Sequence, residues 1–252
     1  LIKSYRAIHQ WNHWLNHFLG SALLSAEHDI MLDLLRKNNG KNALLIGVPK
    51  QYSLLQDSTI PNRLLLTPLA LHDKTIRYIE SDWSELPIHS GSVDLVVLPH
   101  TLEHTDNPRQ ILSEACRIVK PEGSLIIFGF NPYSLWGLRK KWDSLQDHAP
   151  LISKGHFLSS SAIKQWLGLA DFELTKQKTF FFRPPLTHQA LFQRLKIMEW
   201  IGNKSHLPLG GVYVLMAKAK VIPLTPIRLH WKQPLASAKL SIPGPNVRNY
   251  TF

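Results

Sequence analysis

The chain has 252 residues, 44% hydrophobic and 19% charged, which suits one large α/β domain with elaborations or two small ones and excludes wholesale disorder. One cysteine, Cys116, excludes an internal disulfide and any CxxC metal site, and it fits a reducing compartment, so a cytoplasmic location is expected. The net charge of +11 favours anionic partners, no apolar run approaches the ~18 residues of a membrane span, and Leu1-Ile2-Lys3 shows no signal-peptide pattern.

Residues 1–40 read as helical. Trp11, Trp14, Leu15, Phe18 and Leu19 fall at helical spacing, Gly20 is expected to break the run, and Leu23, Leu24, Ile30, Met31, Leu34 and Leu35 continue an amphipathic pattern to Gly40. Ala43 to Ile46 is a short apolar strand ending at Gly47, and Arg63 to Leu66 is a second, followed by Thr67-Pro68. A third strand, Ile76 to Ile79, leads into Asp82-Trp83 and a Leu86-Pro87 stop. A fourth, Val93 to Leu98, ends at Pro99-His100.

A helix is expected over Pro108 to Val119, with Asp106 or Asn107 as cap, Pro108 at its first position, and Ile111, Leu112, Ala115, Ile118 and Val119 on one face. Ser124 to Phe128 is nearly all apolar, as a strand buried on both faces should be. Beyond it, a helix is expected from Ser160 or Ser161 to Gly168, a strand over Phe172 to Phe182, a helix over His188 to Ile201 and a last strand over Val212 to Lys218. The tail after Ile222 carries five prolines and no acidic residue, and is expected to be extended, draped over the domain or disordered. Three segments follow: a helical cap over 1–40, an α/β domain over 41–220 and a basic, Pro-rich tail over 221–252.

The element order predicts a Rossmann-like, doubly wound, mostly parallel α/β sheet with helices N-terminal to it. Ligands of such sheets sit outside the carboxyl ends of the strands, so the chemistry belongs to the strand ends. Asp82 can equally cap a turn, and Trp83 can equally be core. His100 and His104 share helical spacing, but the glutamate that marks a zinc-protease motif does not follow His100, and no metal site is expected. Phe180, Phe181, Phe182 and Trp142 either line an apolar pocket or fill the core, and core is the expectation.

The stretch IRYIESDWSELPIHSGSVDLVVLPHTLEHTDNPRQILSEACRIVK, Ile76 to Lys120, resembles the post-glycine half of class I S-adenosylmethionine (SAM)-dependent methyltransferases of the type-11 family. The run Asn131-Pro132-Tyr133-Ser134-Leu135-Trp136-Gly137-Leu138-Arg139-Lys140 resembles a bacterial subgroup of uncharacterised type-11 methyltransferase-like proteins. The resemblance implies a seven-stranded sheet whose last strand inserts antiparallel between the fifth and sixth. It implies SAM as cofactor and S-adenosylhomocysteine as product. Asp82 would accept from the adenine amine, the Trp83 backbone N–H would reach a ring nitrogen, and the carbonyl near Pro99 would accept from the methionine amino group. His100, Thr101 and Leu102 would line the strand end, with His100 the candidate base or orienting group.

Two strand ends depart from that pattern. The first keeps one loop glycine, Gly47, with Pro49 removing a donor, where the family has several glycines and an acid. The second offers Thr67 where the family places a ribose-binding carboxylate. At the fifth, Asn131 either caps the following helix, with Pro132 at its first position, or lines an acceptor pocket with Tyr133 and Arg139. The expected function is methyl transfer from SAM to an unidentified acceptor, a small molecule ahead of nucleic acid. The alternatives are a methyltransferase-like binding or regulatory protein and an RNA-directed methyltransferase or nucleic-acid-binding protein.

Overall fold

The apolar runs read from the sequence become the central strands of a mixed sheet in the computed structural model, which describes residues 2–36, 38–71, 73, 75–143, 155–186, 188–195, 197–205, 209–220 and 244. The strands are β1 (Asn42–Ile46), β2 (Asn62–Thr67), β3 (Tyr78–Glu80), β4 (Val93–Pro99), β5 (Val119–Phe130), β6 (Phe172–Phe180) and β7 (Val212–Ala219). Their order across the sheet is β3-β2-β1-β4-β5-β7-β6. β1 to β5 run parallel, and β7 lies antiparallel between β5 and β6, as the resemblance implied. Leu95 to Leu98 and Leu125 to Phe128 are at most 1% exposed, which explains why these strands read as continuous apolar runs instead of alternating ones.

The helices are α1 (Ile2–Trp14), α2 (Phe18–Leu35), α3 (Pro108–Ile118), α4 (Leu135–Asp143), α5 (Ser160–Leu169), α6 (Gln189–Arg194) and α7 (Ile197–Ser205). Two 3-10 turns, Pro49–Leu55 and Thr101–His104, follow β1 and β4. α1 packs against the second turn and α2 against the first, so both N-terminal helices lie over the carboxyl edge of the central strands. Trp11, Leu15, Leu23, Met31 and Leu34 join the strands in one hydrophobic core. The chain divides into Leu1–Val221 and Ile222–Phe252, and in the latter Gly244 alone is described, so the expected course of the tail lies outside the described residues.

Three local expectations are corrected. The N-terminal run breaks over residues 15–17, and Gly20 lies inside α2. A Cβ on Gly20 would stand 2.3 Å from the Trp14 carbonyl oxygen and 2.6 Å from Leu15 Cα, so this glycine permits the two helices to meet closely and does not end one. Asn107 precedes α3 without a side-chain cap; its carbonyl accepts from Gln110 N–H (3.2 Å) and Ile111 N–H (3.3 Å), while Pro108 does occupy the first turn. The helix after β5 starts at Leu135, not at Pro132. Ser134 serves it, with its Oγ accepting from Gly137 N–H at 3.3 Å, whereas Asn131 Oδ1 closes a turn onto Tyr133 N–H at 3.1 Å.

The Gly20 contact makes a direct prediction. Gly20→Ala should destabilise the protein by on the order of 1–3 kcal/mol, the cost of overpacking against fixed backbone. The check is the urea midpoint followed by tryptophan fluorescence; an unchanged midpoint would mean that α1 and α2 do not meet tightly at this glycine.

Candidate functional site

The chain lays down β1, β2 and β3 outward in one direction, then returns to place β4 on the other side of β1. The crevice beyond the carboxyl ends of β1 and β4 is therefore the topological switch point, where open α/β sheets bind ligands. Gly47 follows β1 and Pro99 ends β4, and Thr101 and Leu102 lie in the 3-10 turn that follows. Thr101 is fully buried, and its hydroxyl donates to the Ile46 carbonyl at the end of β1. Gln51, also fully buried, reaches across the crevice: its Oε1 accepts from Val48 N–H at 3.1 Å and its Nε2 donates to the Pro99 carbonyl at 2.9 Å. A Cβ on Gly47 would fall 2.7 Å from Gln51 Oε1 and 3.3 Å from Pro99 Cγ, so the one retained loop glycine leaves room for the chain's own carboxamide.

Beside the crevice lies a buried ionic cluster. His100 adopts a left-handed backbone (φ 55°), a costly conformation for a residue with a side chain, which aims its ring back under the N-terminal helices. Its Nε2 is 2.5 Å from Glu27 Oε1 on α2, and its Nδ1 is 2.8 Å from Glu103 Oε2; none of the three is more than 2% exposed. Glu103 Oε1 also accepts from Phe130 N–H at the end of β5. Burial alone would depress the imidazole, but Glu27 and Glu103 outweigh it and raise His100 to about 10. Held as an imidazolium with both N–H groups donating, His100 offers no lone pair to a substrate proton. With Glu103 at Nδ1 and Glu27 at Nε2, both ring nitrogens are engaged, and His100 joins the helices to the strand edge.

His104 has the opposite environment. Burial, then the His100 charge and then Lys140 push it down to about 3, and its Nε2 makes no hydrogen bond. Trp11 covers both rings, with centroids 5.5 Å from His100 and 4.6 Å from His104. Glu27, like Gln51, is a residue that sequence reasoning missed. The available signal was a carboxylate in register with Leu23, Leu24, Met31 and Leu34 on the buried face of α2.

The remaining expected residues are placed as follows. Asp82 is exposed at the end of β3, and its Oδ1 accepts from the Ser84 N–H (2.9 Å) and hydroxyl (3.0 Å). The Trp83 side chain is core, 3% exposed, with its indole N–H unpaired. Thr67 is fully buried, and its hydroxyl oxygen accepts from Leu69 N–H at 3.3 Å, so it is committed to the chain.

Asn131 is buried and donates to the Gly210 carbonyl at 3.0 Å, while Arg139 pairs with Asp143 at 2.8 Å. Tyr133, 76% exposed, does reach a pocket: it lines an apolar cavity of about 620 Å³ together with Leu135, Leu138, Phe182, Met198 and Leu209, with Lys141 at its wall. Phe180 and Phe181 are core as expected, but Phe182 lines this cavity and Trp142 is exposed.

The fit to SAM divides along the molecule. The β3 end, with an exposed Asp82 carboxylate, suits an adenosine. The β1/β4 end, with the Val48 amide and the Pro99 carbonyl both bonded to Gln51, leaves no free donor–acceptor pair of its own for an amino-acid arm in this conformation.

Residues 60–127 match the family described as a methyltransferase domain. The chain is 33% identical over 148 residues to the uncharacterised protein YafS of Escherichia coli K12, covering 58% of this chain and 57% of YafS. The chain thus spans little more than half the length of that curated relative. A SAM-dependent methyltransferase from Thermotoga maritima superposes with a TM-score of 0.58 at 16% identity, covering 85% of this chain and 100% of the other. The [4+2]-cyclase SpnF superposes with a TM-score of 0.53 at 13% identity, covering 77% and 80%. At such identities the superpositions establish the fold.

The two histidines dictate a pH profile. Folded His100 keeps a proton that the unfolded chain releases above the ordinary value of 6.5, so its stabilisation is full below 6.5 and is lost as pH rises towards about 10. Folded His104 stays neutral where the unfolded chain takes up a proton, so its contribution is lost as pH falls from 6.5 towards about 3. Stability should peak near neutrality, and His100→Gln should flatten the alkaline limb. Urea midpoints between about pH 5 and about pH 10 provide the check. An alkaline limb equally steep in the variant would remove His100 as its cause.

Proposed function

We propose that the chain is a class I SAM-dependent methyltransferase of the type-11 family, as the match of residues 60–127 to a methyltransferase domain supports, and that it transfers a methyl group from SAM to an apolar acceptor of small or medium size. The observation that carries this reading is the shared sheet edge: the β3 end with Asp82, the β4 end with Pro99 and the cavity beyond β5 all open from the same side of one doubly wound sheet. Asp82 would hold the adenine end, Gly47 would allow close approach at the β1 end, and the Pro99 carbonyl would take the amino group. When bound, SAM supplies an activated methyl on a sulfonium, so the protein's task is alignment more than proton transfer. The imidazolium at His100 is consistent with that division.

For the acceptor, the cavity lined by Tyr133, Leu135, Leu138, Phe182, Met198 and Leu209 offers mostly apolar wall, within the ~300–1,000 Å³ range of small-molecule sites. A small acceptor therefore suits the site better than a nucleic acid. No helix among the described residues is long and apolar enough to cross a membrane. The lone thiol, Cys116, is pushed up to about 12 by burial and is inert at neutral pH. A second reading has its own support: Gln51 occupies the crevice polar groups, as a binding or regulatory protein that has lost SAM chemistry would allow.

Isothermal titration with S-adenosylhomocysteine separates the two readings. Saturable heat, weakened roughly 10-fold by Asp82→Ala, the scale of one charge-assisted hydrogen bond, supports the methyltransferase. Folded protein that gives no heat would leave the binding protein.

A further inference from the structure

Gln51 is a fully buried, uncharged side chain that spans the switch-point crevice. Its carboxamide accepts one hydrogen bond from the β1 side, at Val48 N–H, and donates one to the β4 side, at the Pro99 carbonyl. It also lies over Gly47, where any Cβ would strike it. A buried primary amide that makes both bonds is engaged at its oxygen and at its nitrogen, and removing it would strand a buried amide and a buried carbonyl. An α-amino-acid terminus carries the same complement in a small space: an ammonium to donate to a carbonyl and a carboxylate to accept from an amide.

We propose that the Gln51 side chain occupies the place of the amino-acid arm of SAM and so sets which adenosine ligands the crevice accepts. A nucleoside without that arm binds with Gln51 in place. A ligand that carries the arm has to turn the Gln51 carboxamide out of the crevice before it reaches Val48 N–H and the Pro99 carbonyl. The chain's own residues make this exchange feasible. Gln51 sits on a seven-residue 3-10 turn, and its side-chain rotation leaves the β1–β4 ladder and the Thr101 bond to the Ile46 carbonyl intact. The proposal rests on the methyltransferase reading and adds a selectivity-determining residue that no motif marks.

The test compares two ligands on two proteins. S-adenosylhomocysteine carries the arm; 5′-methylthioadenosine lacks it. Titration calorimetry on wild type and Gln51→Ala should show S-adenosylhomocysteine binding at least ~10-fold more tightly to the variant, with 5′-methylthioadenosine changed less than ~2-fold. Because the variant removes buried bonds, a second readout uses the wild-type chain. The side-chain amide signals of Gln51, assigned through bonds in a 15N-labelled sample, should shift and lose their protection from exchange on saturation with S-adenosylhomocysteine and stay in place with 5′-methylthioadenosine. If S-adenosylhomocysteine binds wild type while the Gln51 signals stay in place, or if both ligands gain equally in the variant, Gln51 is not the occupant and the methyltransferase reading survives. If neither ligand binds either folded protein, both are overturned.

Discussion

The Glu27–His100–Glu103 cluster is the constraint from which the rest of the site follows. Three ionisable side chains removed from water are costly to bury, and they are tolerated only because each finds a partner at hydrogen-bond distance. The partners come from three places in the chain: α2, the residue after β4, and the turn that follows it. Glu103 adds a fourth link through the Phe130 amide at the end of β5. The cluster therefore fixes the N-terminal helices against the carboxyl edge of the sheet. It also supports the left-handed backbone at His100, which has no glycine to make it easy.

That edge explains why a thin glycine loop is sufficient for this fold. In a doubly wound sheet the loop after β1 normally leaves its amides open for a ligand. Here the loop coils into a 3-10 turn, and Gln51 and Thr101 bond the strand-end groups from within. The crevice is folded as though already occupied. The frame alone does not assign an activity, because the same fold is found in a SAM-dependent methyltransferase and in a [4+2]-cyclase. Residues 60–127 match a methyltransferase domain, and Asp82, Pro99 and the apolar cavity lie at the strand ends, whereas Gln51 holds the polar groups of the crevice between β1 and β4.

The β5 side has a different character. Phe130 stacks on Trp136 and on Phe157, and Trp136 packs on Phe181, so an aromatic wall runs from His100 towards the cavity. On the far side of Trp136, α4 turns Leu135 and Leu138 outward, and with Tyr133 and Leu209 they leave apolar surface exposed around the opening. Arg139, expected in this pocket, points instead into an ion pair with Asp143 one turn along the same helix.

The sequence by itself determined where the central strands and α3 lie, because a strand buried on both faces must be apolar throughout and an amphipathic helix must repeat its apolar face; the one helix expected over His188 to Ile201 is instead two, α6 and α7. It also marked Asp82 and Pro99 as strand-end residues. It misjudged Gly20, Asn107 and Asn131, since a glycine for close approach looks like a glycine that ends a helix, and a side chain that could cap is not thereby bonded to an amide. Glu27 left a trace, as a carboxylate on an apolar face. Gln51 left none. Only the tertiary structure decided that a carboxamide four residues after Gly47 would lie across a strand laid down nearly fifty residues later, because hydrogen bonds between distant segments are set by how the sheet is wound and leave no periodicity to read.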